Sequence, residues 1–415
     1  MRGSGRKKDP RKILKGLRDG REIGFTQTGP RDTGQSDFKN RFTLHDMRKL
    51  IPLYDGTGYF SLEIHGGARF HQDLINNMID PFEEARLWSE EAPRSLTQTL
   101  IRSTNLWGYR MYPHNVIKLA VRSFLPTIDV WRCFDFLNYI PNMSTIAEEV
   151  IAGGKIFEPA ISFTESPECS DVYYLRVTDE IVDLCGGSDQ IILCIKDMAG
   201  VATPSRIARL VDVILQRYPD LVIQYHRHAT DGLAIPAMAA AAQAGVKLFD
   251  VTDDGFSRFY GHPPVLPLAR YLRDLGFSVR LDDALAEKAS EVVHGFIRHY
   301  ERFESQFKGF SSDVTRHRMP GGAFPSSFEQ AQKGEFLHLM PAVLRVMALY
   351  NRIVRYFDVT PGSQITWTTW AGIVQKVHKE GGEQNVRKLF HVLDRYVQAG
   401  ERIELLSQAD ANVLL

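Results

Sequence analysis

Two histidines and one lysine have the types and spacing that could support metal chemistry. His226 and His228 stand at the end of an apolar run that begins at Leu221. Side chains alternate between the two faces of a β-strand, so two histidines separated by one residue point the same way. Two imidazoles on one face can bind a divalent metal. A single His-x-His pair is more often structural, so its meaning depends on the surrounding sequence.

Lys196 ends the preceding apolar run, which begins at Ile191. An ammonium beside a metal ion is unfavourable because like charges repel. A neutral amine can instead react with carbon dioxide to give a carbamate, whose oxygen is an anionic ligand. Burial beside positive charge favours the neutral amine. We therefore predict that Lys196 is carbamylated and takes part in metal binding.

The elements that would position these residues alternate between strand-like and helical patterns. The predicted strands are Glu22–Thr28, Tyr59–Ile64, Thr97–Arg102, Trp131–Leu137, Ile156–Phe163, Ile191–Lys196, Leu221–His226 and Leu248–Val251. Eight such β/α units predict an α/β chain that forms a (β/α)8 TIM barrel. No GxGxxG follows a strand and no GxxxxGK[ST] occurs, so nucleotide-binding folds have no local support.

Polar residues cluster at the carboxyl ends of these runs, where barrel active sites lie. Asp32 follows the first strand, and only strand eight separates strand one from strand seven in a closed barrel. Asp32, His226, His228 and a carbamylated Lys196 could therefore bind one ion. Imidazole nitrogens together with hard oxygens suit zinc, manganese or cobalt.

Two arginines and a glutamine are placed to bind an acid beside that ion. Arg31 and Gln35 flank Asp32, and Arg102 ends the third strand. An arginine can bind a carboxylate through two hydrogen bonds, and a metal or an arginine can stabilise an enolate oxygen. The sequence thus predicts a receptor for a small carboxylate that carries an adjacent carbonyl.

Composition sets the class and the expected compartment. The 415 residues carry a formal net charge of +0 and are 44% hydrophobic, as in ordinary globular proteins. The four cysteines form no CxxC pair, which favours a reducing compartment. No apolar run has the length of a membrane span, and the N-terminus lacks an apolar signal region. We expect a cytoplasmic protein.

The chain divides into three parts. Residues 1–21 form a basic arm, which could bind an acidic partner but is interpreted as solvated, so no nucleic-acid partner is expected. Residues 10–19 could form a short helix with Ile13, Leu14 and Leu17 on one face. Residues 22–310 are assigned to the barrel, and residues 311–415 to a helical extension that packs on it.

Several segments together resemble one enzyme family. They are Arg31-Asp-Thr-Gly-Gln35, Ile101-Arg-Ser-Thr-Asn-Leu-Trp-Gly-Tyr109, Cys133-Phe-Asp-Phe-Leu-Asn-Tyr-Ile-Pro-Asn142, Ile195-Lys-Asp-Met-Ala-Gly200, His226-Arg-His-Ala-Thr-Asp231, Met319-Pro-Gly-Gly322 and Val359-Thr-Pro-Gly-Ser363. In these segments the chain resembles the carboxyltransferase domain of pyruvate carboxylase, the pyruvate-binding subunit of transcarboxylase and the α subunit of oxaloacetate decarboxylase.

The resemblance implies a metal-dependent carboxyltransferase or decarboxylase. Such an enzyme moves a carboxyl group between carboxybiotin and a 2-oxo acid such as pyruvate or oxaloacetate, through an enolate. The implied metal ligands are Asp32, carbamylated Lys196, His226 and His228; the implied substrate and catalytic residues are Arg31, Gln35, Arg102 and Tyr109. The sequence has no biotin-attachment Met-Lys-Met and no ATP-grasp segment. The biotin carrier protein and biotin carboxylase are therefore expected on separate chains, and the resemblance implies a homodimer.

Some positions depart from the family pattern. Pro325 stands where the family has a proton-shuttling threonine, and the adjacent Ser326 is the candidate substitute. His65 and His71 replace family residues in the loop after the second strand and could contact substrate. These departures leave two alternatives: a biotin-independent metal aldolase or lyase, and a catalytically altered scaffold. His262 falls in a loop after the eighth strand and is not expected to bind metal.

Overall fold

Eight parallel strands close into a barrel in the computed structural model, which describes residues 8–108, 110–304, 308–354 and 362–399. The strands are β1 Gly24–Gln27, β2 Ser61–Gly66, β3 Leu96–Ile101, β4 Val130–Phe134, β5 Ile156–Ser162, β6 Ile192–Asp197, β7 Val222–Arg227 and β8 Leu248–Val251. Each pairs in parallel with the next, and β1 also pairs with β8. The predicted (β/α)8 barrel and its eight strands are confirmed.

Helices surround the barrel and continue into the C-terminal extension. They are α1 Pro10–Asp19, α2 Gly34–Phe38, α3 Leu44–Arg48, α4 Ile51–Thr57, α5 Arg69–Gln72, α6 Pro81–Glu91, α7 His114–Phe124, α8 Ser144–Ala152, α9 Asp171–Cys185, α10 Pro204–Arg217, α11 Ala234–Gln243, α12 Val265–Asp274, α13 Asp283–Ile297, α14 Val314–His317, α15 Ala323–Lys333, α16 Met340–Val354 and α17 Gly362–Ala399. α17 is broken at Gly381 and Gly382, whose backbone angles are not helical. In the part of the chain that is described, every helix is too short or too polar to cross a bilayer.

Helix α1 closes the amino-terminal end of the barrel. It begins after Asp9, whose side chain accepts a hydrogen bond from the Lys12 amide, and Leu14 is buried. Leu14 packs with one residue near the start of each of six strands: Leu96, Val130, Ile156, Ile192, Val222 and Leu248. Ile13 and Leu17 pack against the same cluster, as the apolar face of the predicted helix requires. This part of the basic arm is therefore docked under the barrel.

The C-terminal extension has a hydrophobic core of its own, formed mainly by α15, α16 and α17 around Trp367 and Val343. Tyr260, from the loop after β8, and Met319 belong to the same core. The extension therefore packs directly on the carboxyl-terminal rim of the barrel.

The Met319–Gly322 segment forms part of the rim wall. The Gly321 amide donates to the Met198 carbonyl at 2.8 Å. A β-carbon at Gly321 would collide with the His228 ring and the Tyr260 carbonyl, so the close approach requires glycine. The extension thus contacts one of the two histidines that the sequence singled out.

Leu14→Ala tests the docking of α1. The substitution removes the apolar contacts of a buried side chain, and we expect the free energy of unfolding to fall by about 2–4 kcal/mol. Urea denaturation followed by circular dichroism measures the change. Lys12→Ala, on the exposed face of the same helix, is the matched control and should leave the midpoint nearly unchanged. Equal stability of the Leu14 variant and the wild type would show that α1 does not stabilise the barrel.

Candidate metal and substrate site

Neighbouring strands bring Lys196 and His226 together inside the barrel. Their α-carbons are direct partners in the β6–β7 pairing. The Lys196 Nζ lies 2.8 Å from the His226 Nε2, and both side chains are buried. The contact therefore follows from the strand register, which the sequence could place only approximately.

The two predicted histidines present the same ring nitrogen to Asp32. His226 engages the Asp250 carboxylate through Nδ1, while His228 engages the Tyr260 carbonyl through Nδ1. Their Nε2 atoms lie 3.4 Å and 3.8 Å from the Asp32 carboxylate. Because a carbonyl oxygen can only accept, the His228 Nδ1 must carry the proton. Its Nε2 then offers a lone pair to the site.

Asp32 lies on a tight π-helical turn, Gly29–Thr33, which follows β1. It accepts hydrogen bonds from Arg31 at 2.8 Å and from the Ser36 hydroxyl at 3.1 Å. Burial disfavours the charged carboxylate, but the adjacent Arg31 guanidinium outweighs it, so the pKa of Asp32 lies well below its usual range. Asp32 is thus an anionic oxygen ligand.

Burial sets the charge of the nitrogen groups around Asp32. Desolvation lowers the pKa of His228 to about 3 and that of His226 well below its usual range. Both imidazoles are therefore neutral, as metal binding requires. Desolvation, together with Arg31 and Arg132, also lowers the pKa of Lys196 to about 8. The Lys196 amine is more readily deprotonated than an exposed lysine.

A third histidine, which sequence analysis assigned to a loop, joins the cluster. His262 is fully buried, and its Nε2 lies 3.4 Å from the Asp32 carboxylate. Asp32, His226, His228 and His262 each offer a ligand atom, and these atoms lie within 4.8 Å of one another. One anionic oxygen and three imidazoles fit a divalent transition metal. The position of His262 in the chain could have revealed it. In a closed barrel β8 lies between β7 and β1, so a residue in the loop after β8 can reach the rim beside Asp32 and the other two histidines.

A buried ionic network below the rim orients His226. Arg132 on β4 donates to Asp250 at 2.9 Å and to Glu158 at 2.7 Å. It also lies 3.4 Å from Glu63, which in turn accepts from Arg31 at 2.9 Å. Both arginines are almost fully buried, so breaking these pairs would leave charges without partners. The network therefore connects the His226 side of the cluster to the Asp32 side.

A cavity at the rim joins this cluster to the predicted carboxylate-binding residues. Its lining comprises Arg31, Asp32, Gln35, Leu100, Arg102, Phe134, Lys196, Met198, His228, Pro320 and Gly322. The bonds from Arg31 to Glu63 and Asp32 use its Nε and Nη2, so Nη1 takes no part in these pairs. Arg102 is fixed by donation from its Nη1 to the Trp107 carbonyl at 2.8 Å. Two guanidinium groups thus border one cavity beside the cluster.

Other predicted site residues lie apart from this cavity. The His65 ring packs against Phe70, Trp107 and Phe124, and its Nδ1 bonds to Thr99 at 3.0 Å, so it faces the outer helical layer. A bulge in β2 between Glu63 and His65 reverses its direction.

The remaining predicted side chains differ in how they relate to the cavity. His71 is half-buried; desolvation and then Arg102 lower its pKa, but it does not line the cavity. Ser326 lies within α15 and also does not line the cavity, and Pro325 beside it is buried. Tyr109 and positions 359–361 of the last motif lie outside the described residues.

A larger cavity of about 170 Å³ lies at the opposite end of the barrel, beside α1. Ile13, Leu17, Tyr59 and Phe60 supply much of its wall. It contains none of the clustered metal-binding groups, so size alone does not locate the functional site.

Comparison with protein families divides the chain at about the boundary between the barrel and the extension. Residues 139–293 match a family described as HMGL-like, and residues 314–391 match one described as the conserved carboxylase domain.

The human mitochondrial pyruvate carboxylase is 30% identical over 371 residues, covering 86% of this chain and 31% of that protein. The methylmalonyl-CoA carboxyltransferase 5S subunit of Propionibacterium freudenreichii subsp. shermanii is 29% identical over 351 residues, covering 84% and 68%. The carboxyl transferase domain of Rhizobium etli pyruvate carboxylase, solved with pyruvate and biocytin, superposes with a TM-score of 0.83 at 30% identity, covering 89% of this chain and 63% of that chain.

Over most of its length the chain is similar to carboxyltransferase domains, and two of its segments match the HMGL-like family and the conserved carboxylase domain. The resemblance predicted from the sequence is thereby confirmed. This carboxyltransferase homologue spans about a third of the length of the animal pyruvate carboxylases that it matches.

Asp250→Asn tests whether Asp250 orients His226 in the carboxyltransferase homologue. The amide loses the charge that pairs with Arg132 and His226, so we expect zinc affinity to fall by about 10–100-fold. Competition with a chromophoric chelator measures that affinity. Asp254→Asn, an exposed position in the following loop, is the control and should bind zinc as the wild type does. Unchanged affinity in the Asp250 variant would contradict the orienting role.

Proposed function

We propose that this chain transfers a carboxyl group between biotin, carried on a separate protein, and a small 2-oxo acid of the pyruvate and oxaloacetate type. One observation carries the proposal: the cavity that Arg31 and Arg102 border also opens on Lys196 and on the Asp32–His228 pair. A related domain was solved with pyruvate and biocytin, which supports the same two substrates here.

Arg31 and Arg102 provide the carboxylate-binding side of the site. Arg31 is nearly fully buried and held by Glu63, so its guanidinium is preorganised. The side-chain Oε1 of Gln35 accepts a hydrogen bond from the Ala68 backbone amide at 2.9 Å. This bond fixes the glutamine side chain at the same edge of the cavity. Charge-assisted hydrogen bonds from fixed guanidinium groups bind a planar carboxylate strongly and set its orientation. The bound acid is then held with its 2-oxo group towards the cluster.

Asp32, His226, His228 and a carbamylated Lys196 would hold a divalent metal ion, of which zinc, manganese and cobalt are the candidates. The ion would polarise the 2-oxo oxygen and stabilise negative charge that develops there. Carbamylation joins the neutral Lys196 nitrogen to the carbon of carbon dioxide and releases one proton. Removal of the Lys196 proton is favoured by burial and by the nearby arginines.

Proton transfer must differ from the pattern that the sequence resemblance implies. Pro325 has no side-chain donor or acceptor, and Ser326 is not among the residues that line the cavity. Lys196 and His228 border the cavity, but both are metal ligands in this proposal, so neither is a free proton carrier. We therefore propose only that the proton carrier does not lie on α15.

The proposed partners and location follow from the same evidence. One relative is named as a subunit, which supports a biotin carrier and a biotin carboxylase on separate chains. We also propose a homodimer. The four cysteines are buried and form no disulfide, which supports a reducing compartment and hence the cytoplasm.

Decarboxylation of oxaloacetate with and without biocytin tests the function. We expect the zinc-loaded protein to release pyruvate at a rate that rises with biocytin concentration and saturates. Lys196→Ala should abolish the biocytin-dependent part, because it removes the proposed carbamate. A metal-only blank corrects for decarboxylation by free ions. A decarboxylation rate that is the same with and without biocytin would identify a biotin-independent lyase. Absence of turnover across a panel of 2-oxo acids would overturn the proposal.

Arg102→Lys tests the carboxylate cradle. Lysine keeps the charge but cannot bond the Trp107 carbonyl and a substrate carboxylate in the same planar arrangement. We expect the KM for oxaloacetate to rise about tenfold, equivalent to about 1.4 kcal/mol, with a smaller change in kcat. Arg110→Lys, exposed on the same loop, is the control. An unchanged KM in the Arg102 variant would remove Arg102 from the binding site.

A further inference from the structure

We propose that His262 is a direct metal ligand, which joins Asp32, His226, His228 and the carbamylated Lys196 of the proposed function. This inference rests on the proposed function only for the presence of a metal. It differs from the ligand set implied by the sequence resemblance, which has two histidines and a carbamylated lysine.

The backbone fixes His262 between two strands. The carbonyl of Gly261 accepts from the Ala229 amide at 2.9 Å, just after β7. The carbonyl of Pro263 accepts from the Thr252 amide at 3.1 Å, just after β8. His262 is therefore held on both sides by the strand ends that border the metal cluster. A metal ligand benefits from such preorganisation, because the His262 backbone does not have to become ordered when the ion binds.

The orientation of the His262 ring points its second nitrogen into the cluster. The Nδ1 lies 3.0 Å from the Arg227 carbonyl, which can only accept, so this nitrogen carries the proton. The Nε2 is buried without a hydrogen-bond partner among the described residues and lies 3.4 Å from Asp32. A buried imidazole nitrogen usually has a partner. Because this nitrogen faces an anionic oxygen and two other imidazoles, a metal ion can supply that partner.

The three imidazole rings converge on one point. The His262 ring centroid lies 4.4 Å from that of His226 and 4.8 Å from that of His228. Each ring bonds an oxygen through Nδ1, which leaves three Nε2 atoms directed towards Asp32. Histidine ligands in metal sites commonly use the second nitrogen in this way.

Two consequences follow from a donor set of three imidazoles and one carboxylate. These four donors remain when Lys196 is unmodified, so the metal should still bind in the absence of carbon dioxide. The set is also rich in nitrogen, which favours zinc and cobalt over manganese. In this chain, loss of the Lys196 carbamate should therefore weaken metal binding less than loss of His262.

Zinc and cobalt binding in buffer freed of carbon dioxide tests the proposal on the full chain. We expect His262→Ala to weaken zinc binding by about 100-fold or more in competition with a chelator, as loss of a direct ligand should exceed the loss of an orienting group. His262→Gln should alter the visible absorption of bound cobalt, because an amide oxygen replaces a nitrogen. Lys196→Ala should bind zinc within about tenfold of the wild type.

His65→Gln is the matched control. His65 is also buried, with Nδ1 bonded and Nε2 without a partner among the described residues, but it faces aromatic rings. Its substitution should leave zinc affinity unchanged, which separates loss of a ligand from loss of a buried histidine. Circular dichroism confirms that each variant is folded.

Three results would overturn the proposal. If His262→Ala bound zinc as the wild type does while His226→Ala did not, His262 would be only an ion-pair partner of Asp32. If Lys196→Ala lost the metal and His262→Ala kept it, the carbamate would be the fourth ligand. An unaltered cobalt spectrum in His262→Gln would also exclude coordination. These results report metal binding by the variants. The proposed function is tested by biocytin-dependent turnover of the wild type, so failure of one proposal can be distinguished from failure of the other.

Discussion

The hydrogen bond between the His226 Nδ1 and the Asp250 carboxylate is the contact on which the rim site depends. It fixes the ring so that Nε2 faces Lys196 and Asp32. Asp250 is itself held by Arg132, a cation buried in the middle of the barrel. A buried charge network of this kind is costly unless every partner is present, and the complete set therefore imposes one geometry. The barrel supplies that set from β2, β4, β5, β7 and β8.

The rim also depends on the C-terminal extension. Tyr260 belongs to the hydrophobic core of the extension, and its carbonyl bonds the His228 Nδ1. Gly321 contacts the same ring from the other side of the domain boundary. The orientation of His228 is thus set by residues far from it in sequence. The extension therefore forms part of the wall around His228.

The barrel could be predicted from the sequence, because few other folds accommodate eight apolar strands that alternate with amphipathic helices. The strand ends also located Asp32, Lys196, His226 and His228 at one rim, since topology alone places β1, β6, β7 and β8 near each other. The direction of one side chain could not be predicted. The bulge in β2 turned His65 outward, and a period of two along a strand does not reveal a bulge.

His262 shows a different limit. It follows the barrel strands in an irregular loop with two prolines, where no periodicity applies. Its position depends on hydrogen bonds to Ala229 and Thr252, contacts that the sequence does not reveal. Helix α12 begins three residues later, and its buried residues Val265, Leu268, Ala269 and Leu272 have the helical spacing that the loop lacks. The sequence therefore did not predict the position of His262, because backbone contacts distant in sequence determine it and local patterns do not.

Anomalous diffraction from crystals of the zinc-loaded protein tests the central claim most directly. The account predicts one strong peak at the rim, about 2.0–2.2 Å from the Asp32 carboxylate and from the Nε2 atoms of His226 and His228. A map in which zinc is absent from this position, with Lys196 still bonded to His226 as a plain ammonium, would contradict it.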